Sequence, residues 1–131
     1  MKLLLDTHVA IWAVADDPRL PRSVRALIND PNNSIDVSAV SIWEIAIKFP
    51  LARRGIGDMP FSSEEALAYF RQAGFALLDI TPEHAVAVER LPRLHGDPFD
   101  RLLVAQARHE PFKLVSGDTM IGAYGDPVIW P

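Results

Sequence analysis

The chain has 131 residues, 49 % hydrophobic and 23 % charged, with no cysteine and a formal net charge of −4. These values describe one folded domain, residues 1–131, long enough to bury a core; they exclude a disordered segment, a disulfide scaffold and a thiolate metal site. No run approaches the roughly 20 apolar residues of a membrane span, and Asp6 cuts the opening leucines too short for a secretory signal, so a reducing cytoplasm is the expected compartment.

In chain order, residues 2–6 read as a strand that ends on an acid, and Thr7-His8-Val9-Ala10-Ile11-Trp12 continues in a helical pattern. A second strand is expected at 35–39. Ser41-Ile42-Trp43-Glu44 then matches a capping box, with Glu44 reaching back to the Ser41 N–H and Lys48 one turn further on. Residues 53–58 are the most loop-like stretch. Ser62-Ser63-Glu64-Glu65 opens a helix that Gly74 ends, and a third strand follows at 76–79. Thr81-Pro82-Glu83 caps another helix. Asp97-Pro98-Phe99-Asp100 leads into a helix carrying Leu102, Leu103, Ala105 and Gln106, and either acid suits the N-cap. A fourth strand is expected at 113–116, followed by Asp118, and a fifth at 128–130. Short strands alternating with helices define an α/β fold with a mostly parallel sheet of about five strands.

Asp6, Glu44, Asp100 and Asp118 all lie beside apolar runs. An ionised carboxylate next to a core is costly unless it is paired or bound to a metal. Each acid taken alone has a structural explanation, a turn or N-cap for Asp6 and a helix cap for the other three. Taken together they stand at strand-to-helix or loop-to-helix junctions, which gather on one edge of a parallel sheet, where ligands bind. Four convergent carboxylates suit a hard divalent cation such as Mg²⁺ or Mn²⁺. The net charge does not argue for a nucleic-acid partner, but without these acids and Asp97 the balance moves from −4 to +1. Charge is therefore neutral on that point.

The histidines show no metal-ligand spacing. His84 and His109 read as exposed helix residues, and His95, beside Gly96-Asp97, is kept as a site neighbour. Trp12, Trp43 and Trp130 fall in apolar patterns and are assigned to core or interface.

Leu3-Leu4-Leu5-Asp6-Thr7-His8, Ser41-Ile42-Trp43-Glu44-Ile45-Ala46-Ile47-Lys48, His95-Gly96-Asp97-Pro98-Phe99-Asp100-Arg101-Leu102-Leu103 and Leu114-Val115-Ser116-Gly117-Asp118 together resemble the PIN-domain ribonucleases, most closely the VapC-type toxins of toxin–antitoxin pairs. The resemblance implies a three-layer α/β/α fold and a metal-dependent endoribonuclease leaving a 5′-phosphate and a 3′-hydroxyl. Asp6, Glu44, Asp100 and Asp118 would hold Mg²⁺ or Mn²⁺, with Asp97 an additional acid behind them or an occasional ligand. Thr7, Lys48, His95 and Arg101 are candidate substrate contacts. Expected partners are RNA, a VapB-like antitoxin and a second copy of the chain as a homodimer. The antitoxin segment would lie in an apolar groove lined by Ile11, Trp12, Val14, Leu20, Val24, Leu27 and Trp43.

Two competing readings remain at this level. A Mg²⁺-dependent phosphatase usually wants a second aspartate two residues after the first, where this chain has His8. A non-catalytic PIN-like binding module would have little reason to carry all four acids.

Overall fold

Leu3, Leu4 and Leu5 have no solvent exposure, because the strand they form is covered on both faces. A continuous apolar run is the pattern of a central strand in a parallel sheet, where alternate side chains enter two different cores. The computed structural model describes residues 1–131. Its elements are β1 (Lys2–Leu5), α1 (Thr7–Ala15), α2 (Arg22–Asn29), β2 (Ser34–Ser38), α3 (Ala39–Ala52), α4 (Ser63–Gln72), β3 (Ala76–Leu78), α5 (Pro82–Val88), α6 (Pro98–His109), β4 (Lys113–Val115), α7 (Thr119–Gly122) and β5 (Val128–Ile129).

The five strands are ordered β3-β2-β1-β4-β5 and every pairing is parallel. All five expected strands are present, each ending one residue earlier than expected. The trimmed residue at the first two, Asp6 and Ala39, belongs to the helix start that follows. Leu3, Leu5, Val37 and Val115 enter a core with Val9, Val24, Ile45 and Phe70. Leu4 and Leu114 enter the opposite core with Leu103, Val104, Phe112 and Ile121. The result is three layers, helices on both faces of one sheet. No helix is long and apolar enough to cross a membrane.

Chain order runs outward from β1 through β2 to β3, then returns to β4 on the other side of β1. The direction of winding reverses between β1 and β4, and the crevice beyond their carboxyl ends is the usual ligand position in such sheets.

One expectation fails in the second core. His84 is fully buried rather than exposed. Its Nδ1 accepts the Thr81 backbone N–H at 3.0 Å, closing the cap of α5, and its Nε2 lies 2.7 Å from Glu110 Oε2. Gln106 sits beside it, donating to the Asp79 carbonyl at 3.2 Å and accepting from the Ser38 hydroxyl. Gln106 and Glu110, which meet the buried ring, come from α6 and its C-terminal end, so the pattern of α5 does not reveal them. His109 is exposed, as its pattern suggests.

Candidate active site

Asp6 is the N-cap of α1 and lies at the carboxyl end of β1. Its Oδ1 accepts the Val9 N–H at 2.8 Å, and its own N–H donates to the Val115 carbonyl of β4 at 3.1 Å. Burial raises its carboxyl pKa above the ordinary value and the charge of Asp118 adds to the rise, while the Ser116 hydroxyl, the Val9 N–H and His8 oppose it. Asp118 follows β4 on the same edge. It caps α7 by accepting the Met120 N–H at 2.8 Å, and its N–H donates to the Ser116 hydroxyl at 3.1 Å.

Glu44 is not part of a capping box. Ser38 caps α3, accepting the Val40 N–H, so the helix starts three residues earlier than Ser41 and Glu44 lies in its second turn. The two Glu44 carboxylate oxygens are taken by side chains, not by the Ser41 N–H. Glu44 is 3 % exposed and accepts a hydrogen bond from Thr7 Oγ1 at 2.7 Å, with Ser41 Oγ 2.9 Å from the same hydroxyl. Lys48 closes on its other oxygen at 2.5 Å. Burial alone would lower the Lys48 pKa, but the hydrogen bond to Glu44 and the charges of Glu44, Asp97 and Asp100 outweigh it and hold the ammonium above its ordinary value.

The choice between Asp97 and Asp100 is decided by position. Asp97 is the N-cap of α6 and accepts the Asp100 N–H at 3.0 Å, leaving the Asp100 carboxyl free to face the other acids. Burial first, and then the charge of Asp97 with smaller additions from Asp118 and Glu44, push the Asp100 pKa up to about 6. His95 lies 3.3 Å from Asp100 Oδ2 and anchors its other nitrogen 3.0 Å from the Tyr124 hydroxyl. Arg101 is turned elsewhere. Its guanidinium donates to the Pro92 and Val88 carbonyls and to Tyr124, tying α6 to the end of α5.

Asp118 is thus the link between the acids, its charge reaching both Asp6 and Asp100, while Glu44 acts on Asp100 and is itself paired to Lys48. An all-carboxylate donor set in which neighbouring charge works against ionisation of Asp6 and Asp100 fits a hard divalent cation, which removes the repulsion that raises Asp100. The chain holds a second cluster with ligand atoms of His84, His109 and Glu110 within 4.8 Å of one another. That cluster is chemically closed. With Nδ1 accepting the Thr81 N–H, the proton of the neutral His84 ring is on Nε2 and is spent on Glu110, so no lone pair is left for a metal.

Each candidate ligand other than Asp100 has a hydroxyl neighbour that sequence reading did not connect to it: Thr7 and Ser41 for Glu44, Ser116 for Asp6 and Asp118. The signal was present, since every one of these hydroxyls lies within three residues of an acid. Trp130 was also missed. It is 41 % exposed and its indole rests on Gly117, where an added Cβ would stand 2.6 Å from Trp130 Cε2.

A parallel α/β sheet with acids grouped at the β1/β4 reversal is the design of a PIN domain, and the PIN-domain family model matches residues 3–126. The chain belongs to the PIN-domain family. It is 32 % identical over 127 residues to Ribonuclease VapC22 of Mycobacterium tuberculosis, covering 95 % of this chain and 93 % of that protein. Among solved structures, VapBC2 from Rickettsia felis, bound to a DNA fragment from its promoter, shares the fold with a TM-score of 0.68 at 17 % identity, covering 100 % of this chain and 98 % of that one. The sarcin–ricin-loop-cleaving toxin VapC20 of Mycobacterium tuberculosis shares it with a TM-score of 0.61 at 21 % identity, covering 94 % and 95 %.

Proposed function

We propose that this chain is a single-domain, metal-dependent endoribonuclease acting in the cytoplasm as the toxin of a toxin–antitoxin pair. The observation that carries this reading is the placing of Asp6 and Asp118 just beyond the carboxyl ends of β1 and β4, where the charge of Asp118 adds to the raised pKa of both Asp6 and Asp100 and that of Glu44 to Asp100. The full-length likeness to a VapC ribonuclease supports RNA as the substrate.

In this reading the four carboxylates hold Mg²⁺ or Mn²⁺, with Asp97 behind them as the cap that frees Asp100. When bound, such an ion lowers the pKa of a coordinated water and neutralises charge on the phosphodiester. The protein's own work is positioning. Thr7 and Lys48 fix the two oxygens of Glu44, and Ser116 and the Val9 N–H hold Asp6 toward the ionised form that a ligand requires. His95 keeps Asp100 oriented through a chain that ends on Tyr124. Lys48, paired to Glu44, and Arg19, which shares a cleft with Asp6 and Asp118, are the cations placed to turn to a substrate phosphate, while Arg101 donates to backbone carbonyls.

Restraint by a VapB-like antitoxin fits the apolar surface. Ile11, Leu20 and Val24 are core residues, whereas Trp43, Ile47 and Leu51 form an exposed stripe along α3. A cleft of about 420 Å³ runs beside that stripe, lined by Trp12, Leu51, Ile56 and Met59 together with the floor residue Ile11. An amphipathic partner segment would lie there. The test is cleavage of RNA by the purified chain with Mg²⁺ or Mn²⁺, with chelator, and after Asp6→Asn. Activity that survives both chelator and the substitution would sink the reading.

A further inference from the structure

We infer that the cleft containing Trp12 and Trp130 is a nucleobase subsite, in which an unpaired base flanking the scissile phosphate stacks on the Trp130 indole. This rests on the ribonuclease reading and names the form of the substrate that the site accepts.

The first argument is continuity. The cleft measures about 430 Å³, within the range of small-ligand pockets, and Asp6 and Asp118 line it along with Trp12, Trp130 and Arg19. A phosphodiester held at those two acids has its neighbouring base at the mouth of this cleft.

The second argument is the state of the indole. A tryptophan that served only to plug the fold would be buried, yet Trp130 is 41 % exposed. It is nevertheless held in place. The ring lies against residue 117 so closely that any Cβ there would meet Cε2 at 2.6 Å and Cζ2 at 2.7 Å, so only glycine permits the arrangement. A flat apolar surface that is both fixed and open, next to a phosphodiester site, is a stacking platform.

The third argument is charge. The Arg19 guanidinium sits 5.1 Å from the Trp12 ring and is clamped by Asp17 at 3.1 and 2.8 Å, yet its side chain is 59 % exposed. His8 sets a further ring 6.0 Å from the same indole. Aromatic faces interleaved with cations are how proteins hold single-stranded nucleic acid without reading a duplex groove. A paired base has both faces covered by its neighbours, so the occupant must come from a loop, bulge or end.

The experiment uses a short RNA that the intact protein cleaves at one mapped bond. An abasic ribose on one side of that bond lowers kcat/KM by about tenfold, the usual scale of one stacked base. Trp130→Leu lowers cleavage of the intact RNA by a similar factor and makes the abasic RNA no worse, while Trp130→Phe restores most of the loss. Quenching of tryptophan fluorescence by the same RNA in chelator, a readout independent of cleavage, shrinks in Trp130→Leu. A Trp130→Leu protein with wild-type melting behaviour, wild-type cleavage and the full abasic penalty overturns the proposal. So does undiminished quenching in a variant whose assembly with a co-expressed protein partner, or with itself, is changed on size-exclusion chromatography. Failure of the wild-type protein to cut any RNA with metal present would instead strike the ribonuclease reading, and the quenching measurement would still judge the subsite.

Discussion

Two polar regions sit toward opposite ends of α6, Asp100 in its first turn and Glu110 at its C-cap, and they are built on opposite principles. Around His84, each donor meets an acceptor: Thr81 N–H to Nδ1, Nε2 to Glu110, Gln106 to Asp79 and Ser38 to Gln106. Around Asp100, acids face acids, and burial with three neighbouring negative charges pushes one carboxyl up to about 6. The first region is complete as it stands and stabilises the fold. The second is left with unresolved repulsion, which folding alone does not favour and which a bound cation would relieve. Geometry by itself does not separate them, since His84, His109 and Glu110 are close enough for a metal. The bookkeeping of protons and lone pairs does.

The contrast breaks most sharply at the acids. Asp6→Asn or Asp118→Asn should reduce RNA cleavage by more than about a hundredfold, beyond the usual loss for residues that merely orient metal ligands. Both variants keep the Oδ1 that caps their helices, so the metal-free melting temperature should hold or rise as repulsion is relieved. Parallel cleavage assays and thermal denaturation check this. Glu44→Gln is the finer version. The amide still accepts the Thr7 hydroxyl, so stability should barely change, while cleavage and metal affinity measured by titration calorimetry collapse. Retained activity would reduce Glu44 to a structural partner of Thr7.

The His84 region should respond in the reverse way. His84→Ala leaves the Thr81 N–H and the Gln106 amide short of a partner and opens a cavity. The expected cost is about 2–4 kcal/mol of stability, read from urea unfolding. Cleavage per folded molecule should be unchanged, and zinc titration should give the same result with and without His84.

Lys48 joins the two kinds of behaviour. Lys48→Met strands a 3 % exposed Glu44, so the metal-free protein should lose about 1–2 kcal/mol, less than for a fully buried pair because the lysine is half-exposed. Saturating Mg²⁺ should shrink that loss, because the cation replaces the ammonium as the countercharge. Equal destabilisation with and without Mg²⁺ would argue that the pair is purely structural.

The smallest effect concerns pH. The Asp100 carboxyl binds its proton more tightly in the folded protein, at about 6, than at the ordinary 3.8. Between those values the unfolded chain is ionised and the folded one is not, so this group makes the metal-free protein lose stability as pH rises from about 4 to about 6, with no further change above. Metal competes with that proton, so metal affinity should fall as pH drops below 6. Unfolding curves in chelator across that window, and metal titrations at its two ends, test both signs.

Much of this was readable in the sequence. Three leucines closed by Asp6 identify a central strand and the acid at its end, and the strand–helix alternation carries the sheet. The readings that failed depend on contacts distant in the chain. Ser41 looks like a cap only until Ser38, the last residue of β2, takes that role three residues earlier. His84 is buried by Glu110, 26 residues away. Arg101 stays a candidate phosphate contact, but its guanidinium bonds to the Val88 and Pro92 carbonyls could not be read from its own helix. Trp130 fits an apolar pattern, and nothing local says that Gly117 will hold it at the surface.

The hydrogen bond between Ser38 and Gln106 has a mechanical consequence. Ser38 is where α3 begins and Glu44 lies six residues along it; Gln106 lies six residues beyond Asp100 on α6. Each arm spans about 9 Å of helix at 1.5 Å per residue. The bond therefore acts as the pivot of a pair of calipers whose tips are Glu44 and Asp100. Loosening that pivot, at an amide buried well away from both acids, should shift one tip against the other.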